Sequence, residues 1–417
     1  MKHVLLILDG ASDVPLAELN GRTPLEAAFT PCLDGLAPHA LVGRLATAHE
    51  GFPVESLVCV LGMLGYTPAS HYPSGRASLE ALAHGLKLET GDLAFRCNIV
   101  RVSDDGSTLR DFTAGMIDSA RARQLLCRVK LPFPSWELHG GQGYRNLLIV
   151  RQAGIPASSL SCPPPHMHVG EHITPLLPRT TSPGRADAEQ LAHALRAFLL
   201  ESFRTFTAQP RLPDCHGNML WVWSASGAPR LPAFRNLHGM EGTVVAGLDF
   251  MRGLAVAARL NVAIPPGATG YIDTDYTAKV RATCTALETS DMVILHLNAP
   301  DEAAHLRKAD LKIQAIETID RLVLTPLLHH LRGRFPHAFS LAVCIDHMTR
   351  VTDGKHAPDP TPCLIWPAPD DMLLPADSRL TEKCAQGGPL LSAGEIVPLL
   401  ARAGLAQSIR PAAGSGL

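Results

Sequence analysis

The stretch HLNAPDEAAH, residues 296–305, places Asp301 and His305 four residues apart directly after a short apolar run. At this spacing both side chains lie on one face of a helix, close enough to share a ligand. Asp301 by itself also fits a helix cap after Pro300, and a single helical histidine is more often partly exposed or at the edge of a core. Ligand-type residues elsewhere in the chain must therefore decide between these interpretations.

Two other apolar segments end in the same kinds of side chain. Residues 3–8 are followed directly by Asp9, and residues 340–345 are followed by Asp346 and His347. In parallel α/β sheets, ligands and catalytic groups collect at the carboxyl ends of the strands. An aspartate before a glycine is by itself more often a turn, but three such segments together predict a shared site at one edge of a sheet.

A further histidine, His356, follows in a loop that glycine and prolines bound. This loop can fold over the same edge of the sheet. Mixed aspartate and histidine ligands suit Zn²⁺ or Mn²⁺ better than they suit an oxygen-only site for Ca²⁺ or Mg²⁺. Six ligands from four segments are enough for two metal ions.

Two ions about 3.5–4 Å apart are a usual arrangement for attack on phosphorus, so a nucleophile is expected nearby. Ser56, in GFPVESLVCVLGMLGYTP, precedes a helix predicted over 57–64. A helix N-terminus favours a phosphoryl group, and a coordinated metal lowers the pKa of a hydroxyl group. Without the metal ligands, Ser56 is better explained as a helix N-cap.

The elements that must position these residues alternate between strands and helices. Short apolar runs predict strands at 3–8, 242–248, 292–297 and 340–345, and helical patterns lie at 249–260, 274–287 and 311–331. This alternation predicts an α/β fold with a mainly parallel sheet flanked by helices.

The middle of the chain differs, since its apolar runs are shorter and loop signals interrupt them. Weak strands at 95–102 and 146–152 and a helix at 187–203 predict a smaller α+β domain. We therefore expect 1–72 and 231–417 to form the core and 73–230 to form an inserted cap. The tail, 411–417, is expected to be a disordered end.

Composition narrows the class of protein. Of the 417 residues, 46% are hydrophobic and 18% are charged, which describes an ordinary globular chain. The net charge of −2 gives no basic surface for nucleic acid. No apolar run reaches the roughly 18 residues of a membrane span, and the first run is too short for a signal peptide. The ten cysteines form no CxxC pair, which favours a reducing compartment and a cytoplasmic location.

Several motifs carry a resemblance to a known family. LDGASD, LGMLGYTP, GRASLEALAHGL, PPGATGYIDTDYTAK, HLNAPDEAAH and KHAPDPTPCLIW occur in matching order from residue 1 to about 370. Together they resemble the archaeal-type cofactor-independent phosphoglycerate mutases of the alkaline phosphatase superfamily. The resemblance implies an alkaline-phosphatase-like core that carries two divalent metals, with an inserted cap domain that binds a small phosphorylated substrate.

The resemblance also implies roles for individual residues. One metal ion (Mn²⁺ or Zn²⁺, with Mg²⁺ as an alternative) takes Asp301, His305 and His356, and the other takes Asp9, Asp346, His347 and the Ser56 hydroxyl. Ser56 accepts the phosphoryl group from 3-phosphoglycerate and returns it to the other hydroxyl of the retained glycerate. No organic cofactor is implied, and the oligomeric state stays open.

The cap departs from the family pattern. An arginine-rich segment of relatives is here RDFTAGM, and PPPHMH keeps only His166 of another motif. Arg76, Arg96 and Arg145 are the remaining candidates for binding substrate anions. The chain after Ser56 also reads Leu-Val-Cys-Val where relatives have polar residues. Two alternatives therefore stay open: a phosphatase or phosphotransferase for another small metabolite, including a homoserine-kinase-like activity, or a non-catalytic relative.

Overall fold

The computed structural model describes residues 1–208, 215–368 and 378–409. The tail, 411–417, lies outside these residues. The chain divides into two compact units, of which the first comprises Met1–Tyr72 and Leu231–Leu417 and the second comprises Pro73–Arg230. The second unit is thus inserted into the sequence of the first.

Seventeen strands occur in the described residues. In chain order they are β1 (Lys2–Leu8), β2 (Leu41–Ala46), β3 (Leu93–Val102), β4 (Leu109–Asp111), β5 (Trp136–His139), β6 (Arg145–Val150), β7 (Leu160–Ser161), β8 (Arg179–Thr180), β9 (Met219–Gly227), β10 (Gly242–Val245), β11 (Asn261–Ala263), β12 (Met292–Leu297), β13 (Phe339–Cys344), β14 (Met348–Arg350), β15 (Lys355–Ala357), β16 (Thr361–Trp366) and β17 (Leu390–Ser392).

Fifteen α-helices occur in the same residues. They are α1 (Pro24–Ala27), α2 (Pro31–Leu36), α3 (Ser56–Met63), α4 (Pro68–His71), α5 (Ala77–Ala83), α6 (Ser119–Leu126), α7 (Ala186–Ala208), α8 (Phe234–His238), α9 (Asp249–Ala257), α10 (Tyr276–Thr289), α11 (Ala299–His305), α12 (Ala309–Ile319), α13 (Thr325–Arg334), α14 (Glu382–Ala385) and α15 (Ile396–Ile409). A π turn, Asp320–Leu324, joins α12 to α13.

The first unit is built on an eight-stranded sheet in the order β11-β10-β12-β1-β13-β16-β2-β17. The five strands from β11 to β13 are parallel to one another. Strand β16 runs antiparallel to both of its neighbours, and β17 is parallel to β2. The prediction of a mainly parallel sheet in an α/β fold is therefore confirmed.

The middle strands β12, β1 and β13 are apolar because helices cover the sheet. Every residue of β12 and β13 is buried. Side chains from β1, including Leu6 and Leu8, share one core with Leu287 of α10, Ile316 of α12 and Leu327 of α13. This packing fixes the carboxyl ends of three adjacent strands, where the candidate ligands lie.

The second unit contains an antiparallel sheet in which β3 pairs with β4, β6 and β9, and β6 pairs with β5. Helix α7 contributes Leu195, Phe198 and Leu199 to a core that also contains Trp221 of β9. This unit is therefore α+β. None of the helices in the described residues combines the length and the apolar character that a bilayer crossing requires.

The four core strands and the two middle strands predicted from the sequence are present. Strands β2, β11, β16 and β17 of the central sheet have no counterpart in the predictions. The helix predicted over 311–331 is interrupted by the π turn, just before Pro326. Because proline lacks a backbone N–H, it cannot continue the α-helical ladder there, and the Thr325 hydroxyl donates instead to the Asp320 carbonyl at 3.0 Å.

Candidate metal centre

The carboxyl ends of β1, β12 and β13 lie side by side and deliver acidic and histidine side chains to one place. Asp9 follows β1, and Asp346 and His347 follow β13. Asp301 and His305 lie on α11, which follows β12 after one residue. The structure brings all five together, and Asp9, Asp346 and His347 are completely buried.

One cluster is centred on Asp301. His305 Nε2 lies 3.2 Å from Asp301 Oδ2, and His356 Nε2 lies 3.5 Å from Asp301 Oδ1. The two Nε2 atoms are 3.2 Å apart. Although burial raises the pKa of Asp301, hydrogen bonds from both rings hold it well below its ordinary value. The same carboxylate raises the pKa of His305 to about 9.

A second cluster joins Asp9, Ser56, Asp346 and His347. Ser56 is the first residue of α3 and is buried. Its Oγ lies 3.1 Å from His347 Nε2 and 3.4 Å from each carboxylate oxygen of Asp9. His347 Nε2 is also 3.4 Å from Asp9 Oδ1 and 3.4 Å from Asp346 Oδ2. His347 therefore lies between the two carboxylates, and its ring stacks on His356 at 3.9 Å.

The histidine rings are oriented by contacts on their other nitrogen. His305 Nδ1 lies 2.8 Å from the Gly354 carbonyl oxygen, and His356 Nδ1 lies 2.8 Å from the Val54 carbonyl oxygen. A carbonyl only accepts, so each Nδ1 carries a proton, and each Nε2 is the ring nitrogen turned toward Asp301, where a metal ion would take the place of the proton. This is the usual arrangement of metal-binding histidines.

Thr349 connects the two clusters. Its hydroxyl donates to Asp301 Oδ1 at 2.6 Å and lies 3.1 Å from His347 Nδ1. Because the Thr349 hydroxyl donates its hydrogen to Asp301, its oxygen accepts a hydrogen bond from His347 Nδ1. In the neutral imidazole, the Nε2 atom of His347 then carries the lone pair. One threonine thus orients a ligand candidate in each cluster.

Gly10, directly after Asp9, allows this close approach. It has a φ of +62°, and a Cβ placed there would lie 2.6 Å from both Asp301 Oδ1 and Thr349 Oγ1. Its N–H donates to Asp346 Oδ1 at 3.0 Å. A side chain at this position would occupy the space that the carboxylates surround.

Sequence reasoning missed His296, which opens the stretch HLNAPDEAAH. His296 lies in β12 with 1% of its surface exposed, and its Nε2 is 3.0 Å from Asp9 Oδ2 without hydrogen-bond alignment. Ligand atoms of Asp9, His296 and Asp346 all lie within 4.8 Å of one another. The available signal was a lone histidine inside an otherwise apolar strand.

The residues fit divalent metal ions. Among the described residues, Asp346 Oδ2 and His296 Nε2 are buried without a hydrogen-bond partner, which is costly unless another group satisfies them. The Nε2 atoms of His305 and His356 also face each other at 3.2 Å, a contact that a shared cation would satisfy. Asp301, His347 and His356 form a second group with metal-ligand spacing. Nitrogen and carboxylate donors of this kind bind Zn²⁺ or Mn²⁺.

The four predicted substrate residues lie in the second unit. Arg96 donates from Nε to both Glu80 oxygens at 2.9 and 3.0 Å, and its guanidinium carbon lies 4.6 Å from the centre of a Trp223 ring. The ring of His166 lies 5.3 Å from that of Trp223. Arg96 and His166 thus both contact Trp223.

Arg145 belongs to the same surface through aromatic residues. Its guanidinium lies 4.7 Å from the Tyr144 ring, and Phe112 contacts both Tyr144 and His166 at centroid distances of 6.0 Å. Arg76 precedes α5, and its backbone N–H donates to the Ser224 hydroxyl at 3.2 Å. The structure therefore links three of the four residues into one aromatic cluster, and their role in substrate binding stays a prediction.

Comparison with known proteins gives consistent matches. Residues 37–211 match the family model described as 2,3-bisphosphoglycerate-independent phosphoglycerate mutase. The chain is 37% identical over 368 residues to 2,3-bisphosphoglycerate-independent phosphoglycerate mutase 2 of Methanothermobacter thermautotrophicus, with 88% of each chain covered. A solved Pyrococcus horikoshii protein is 26% identical and superposes with a TM-score of 0.78 over 99% of both chains. The cofactor-independent phosphoglycerate mutase from Thermoplasma acidophilum is also 26% identical, with a TM-score of 0.60 over 96% of this chain and 99% of that one.

Proposed function

We propose that this chain, which belongs to the family of 2,3-bisphosphoglycerate-independent phosphoglycerate mutases, interconverts 3-phosphoglycerate and 2-phosphoglycerate through a phosphoserine at Ser56. The observation that carries the proposal is the position of Ser56 Oγ, within 3.4 Å of Asp9 and His347. A hydroxyl among carboxylate and imidazole ligand candidates is suited to nucleophilic attack on phosphorus.

The reaction needs two transfers that use the same hydroxyl. In the first, the Ser56 oxygen bonds to phosphorus and the bond from phosphorus to the 3-oxygen of the substrate breaks. The retained glycerate then attacks the phosphoserine with its 2-oxygen, and Ser56 is released. Because Ser56 begins α3, the backbone N–H groups of the first helical turn support the phosphoryl charge.

The proposed metal centre holds two divalent ions, with Mn²⁺ or Zn²⁺ favoured over Mg²⁺ by the nitrogen donors. Asp301, His305 and His356 would hold one ion. Asp9, Asp346, His347 and the Ser56 hydroxyl would hold the other. When bound, such ions neutralise phosphoryl charge and lower the pKa of a coordinated hydroxyl.

The proposed substrate groups are Arg76, Arg96, Arg145 and His166, in the second unit. Arginine suits this role because its planar guanidinium binds a carboxylate or phosphate through two parallel hydrogen bonds. The partner is then a small phosphorylated metabolite, with no nucleic acid or membrane involved. A cytoplasmic location accords with this substrate and stays a prediction.

A second candidate function is hydrolysis or transfer on another small phosphomonoester. It is favoured by the engagement of Arg96 with Glu80, because an arginine already bound to a carboxylate must exchange partners to bind substrate. The metal centre would serve this chemistry equally well.

The test uses purified protein loaded with Mn²⁺ and supplied with 3-phosphoglycerate, followed by ³¹P NMR. We expect a 2-phosphoglycerate signal to appear without free phosphate. A parallel panel of phosphomonoesters, including phosphohomoserine, tests the second candidate. Release of phosphate from these esters without isomerisation would exclude the mutase proposal, and absence of any turnover in metal-loaded protein would favour the non-catalytic alternative.

A further inference from the structure

His296 is a buried histidine that the proposed ligand sets do not use. It points from β12 toward the carboxyl edge of the sheet, where its Nε2 lies 3.0 Å from Asp9 Oδ2. That nitrogen has no hydrogen-bond partner among the described residues. Together with the Oδ2 atom of Asp346, which also lacks a partner, it faces the second cluster.

An ordinary buried histidine in this sheet behaves differently. His3, on the adjacent strand β1 at the opposite end of the sheet, has 6% of its surface exposed. Its Nδ1 makes a hydrogen bond of 2.8 Å with the Ser340 hydroxyl. A packing role therefore does not require an imidazole nitrogen to be left without a partner, and a buried polar atom in that state costs free energy.

We propose that His296 is a ligand of the ion that Asp9 and Asp346 hold, an inference that rests on the metal centre proposed above. The ligand atoms of these three residues lie within 4.8 Å of one another, so small side-chain movements would bring all three to the ligand distances of roughly 2.0–2.2 Å around one ion. Such an ion would satisfy both the His296 Nε2 atom and the Asp346 Oδ2 atom, neither of which has a hydrogen-bond partner among the described residues.

This assignment changes the chemistry of the second ion. With His347, His296 gives it two neutral imidazoles beside two carboxylates, which balance the charge of a divalent cation. A site with two nitrogen donors selects Zn²⁺, Co²⁺ or Mn²⁺ over Mg²⁺, which prefers oxygen ligands in octahedral geometry. Removal of His296 should therefore weaken binding of the ion held by Asp9 and Asp346, and binding of the ion held by Asp301 should not change.

The test titrates metal-free protein with Mn²⁺ in a calorimeter, using His296→Ala, His296→Gln and the matched control His3→Gln. Wild type and His3→Gln should bind two ions. Both His296 variants should bind one ion normally and the other at least about 100-fold more weakly, at or beyond the upper end of the loss seen when outer-shell partners are mutated. Far-UV circular dichroism checks that each variant is folded.

A measurement on wild type keeps the inference testable if the His296 variants do not fold. In Co²⁺-loaded protein, each coordinated histidine gives a paramagnetically shifted ring N–H signal. Four such signals, from His296, His305, His347 and His356, are expected, and three would overturn the assignment of His296. Unchanged binding of both ions in His296→Ala would overturn it too, whereas a wild-type protein that binds no ion would refute the proposed metal centre itself.

Discussion

Ser56 differs from other buried serines of the first unit in what surrounds its hydroxyl. Its Oγ is within 3.4 Å of two carboxylate oxygens and an imidazole nitrogen. Ser340, in contrast, donates to the Leu400 carbonyl and contacts His3, which is a structural arrangement. Substitution of each serine in turn therefore tests whether the Ser56 hydroxyl is the nucleophile.

We expect Ser56→Ala to lose phosphoryl transfer by more than about 10³-fold, because no other hydroxyl replaces the nucleophile. Its metal content should stay close to that of wild type, since carboxylates and histidines supply the other ligands. Turnover and bound metal are measured together, with Ser340→Ala as the control for loss of a buried hydroxyl. Wild-type turnover in Ser56→Ala would exclude a phosphoserine intermediate.

At the scale of residues, the sequence predicts side chains whose chemical type is unusual for their place. Asp9, Asp346 and His347 follow apolar strands, so their types and positions indicate a site. His296 gives a weaker signal, as a lone histidine inside an apolar strand. Thr349 gives none, because a residue within a hairpin has no visible partner until the fold places it. Only the structure reveals that Thr349 contacts both Asp301 and His347.

At the scale of elements, the turn after β1 decides how closely the clusters approach. Gly10 has a positive φ and leaves no room for a Cβ beside Asp301 and Thr349. Gly21 has a similar φ of +75°, but a Cβ there would meet nothing within 4 Å. A substitution at Gly21 therefore introduces backbone strain alone, whereas a substitution at Gly10 introduces the same strain and also crowds the metal centre.

We expect Gly10→Ala to be less stable than Gly21→Ala by about 1–3 kcal/mol, the usual cost of overpacking. Both variants carry the left-handed backbone penalty of about 1–2 kcal/mol, so it cancels in the comparison. Gly10→Ala should also bind metal more weakly, because Asp301 must move. Denaturant titrations and metal calorimetry measure both effects, and equal behaviour of the two variants would contradict the packing argument.

The elements also explain which strands the sequence predicts. Strands β1, β12 and β13 are apolar on both faces because they lie in the middle of the sheet. Strand β16 carries Pro362, a residue that normally argues against a strand inside a sheet. Strand β17 is three residues long with exposed ends. Neither strand has the continuous apolar pattern from which a buried strand is predicted.

At the scale of the whole molecule, one buried cation links pH to folding stability. Lys279 has 1% of its surface exposed, and its Nζ donates to the carbonyl oxygens of His296 at 3.2 Å and Thr269 at 3.4 Å. Burial lowers the pKa of Lys279 from 10.5 to about 8. Between these pH values the unfolded chain binds more protons than the folded chain, so stability rises with pH.

The gain in folding stability from deprotonation of Lys279 is fully present above about pH 10.5 and is lost as the pH falls to about 8. The difference amounts to about 3 kcal/mol, at 1.36 kcal/mol for each pKa unit. Denaturant titrations of metal-free wild type and Lys279→Met across this range measure it. The wild type should gain stability relative to Lys279→Met as the pH rises, and parallel curves would contradict the assignment.

The two units have separate hydrophobic cores, and all the proposed metal ligands belong to the first. A ligand that binds only the folded state stabilises it by about 2.7 kcal/mol at 100 times its dissociation constant. Mn²⁺ should therefore slow amide hydrogen exchange in β1, β12 and β13, and chelation should reverse this. Exchange in β3, β6 and β9 should not respond.

An Asp301→Ala variant serves as the control, because its first unit should lose the part of the response that belongs to the Asp301 ion. Equal metal-dependent protection of both units would contradict a metal centre confined to the first.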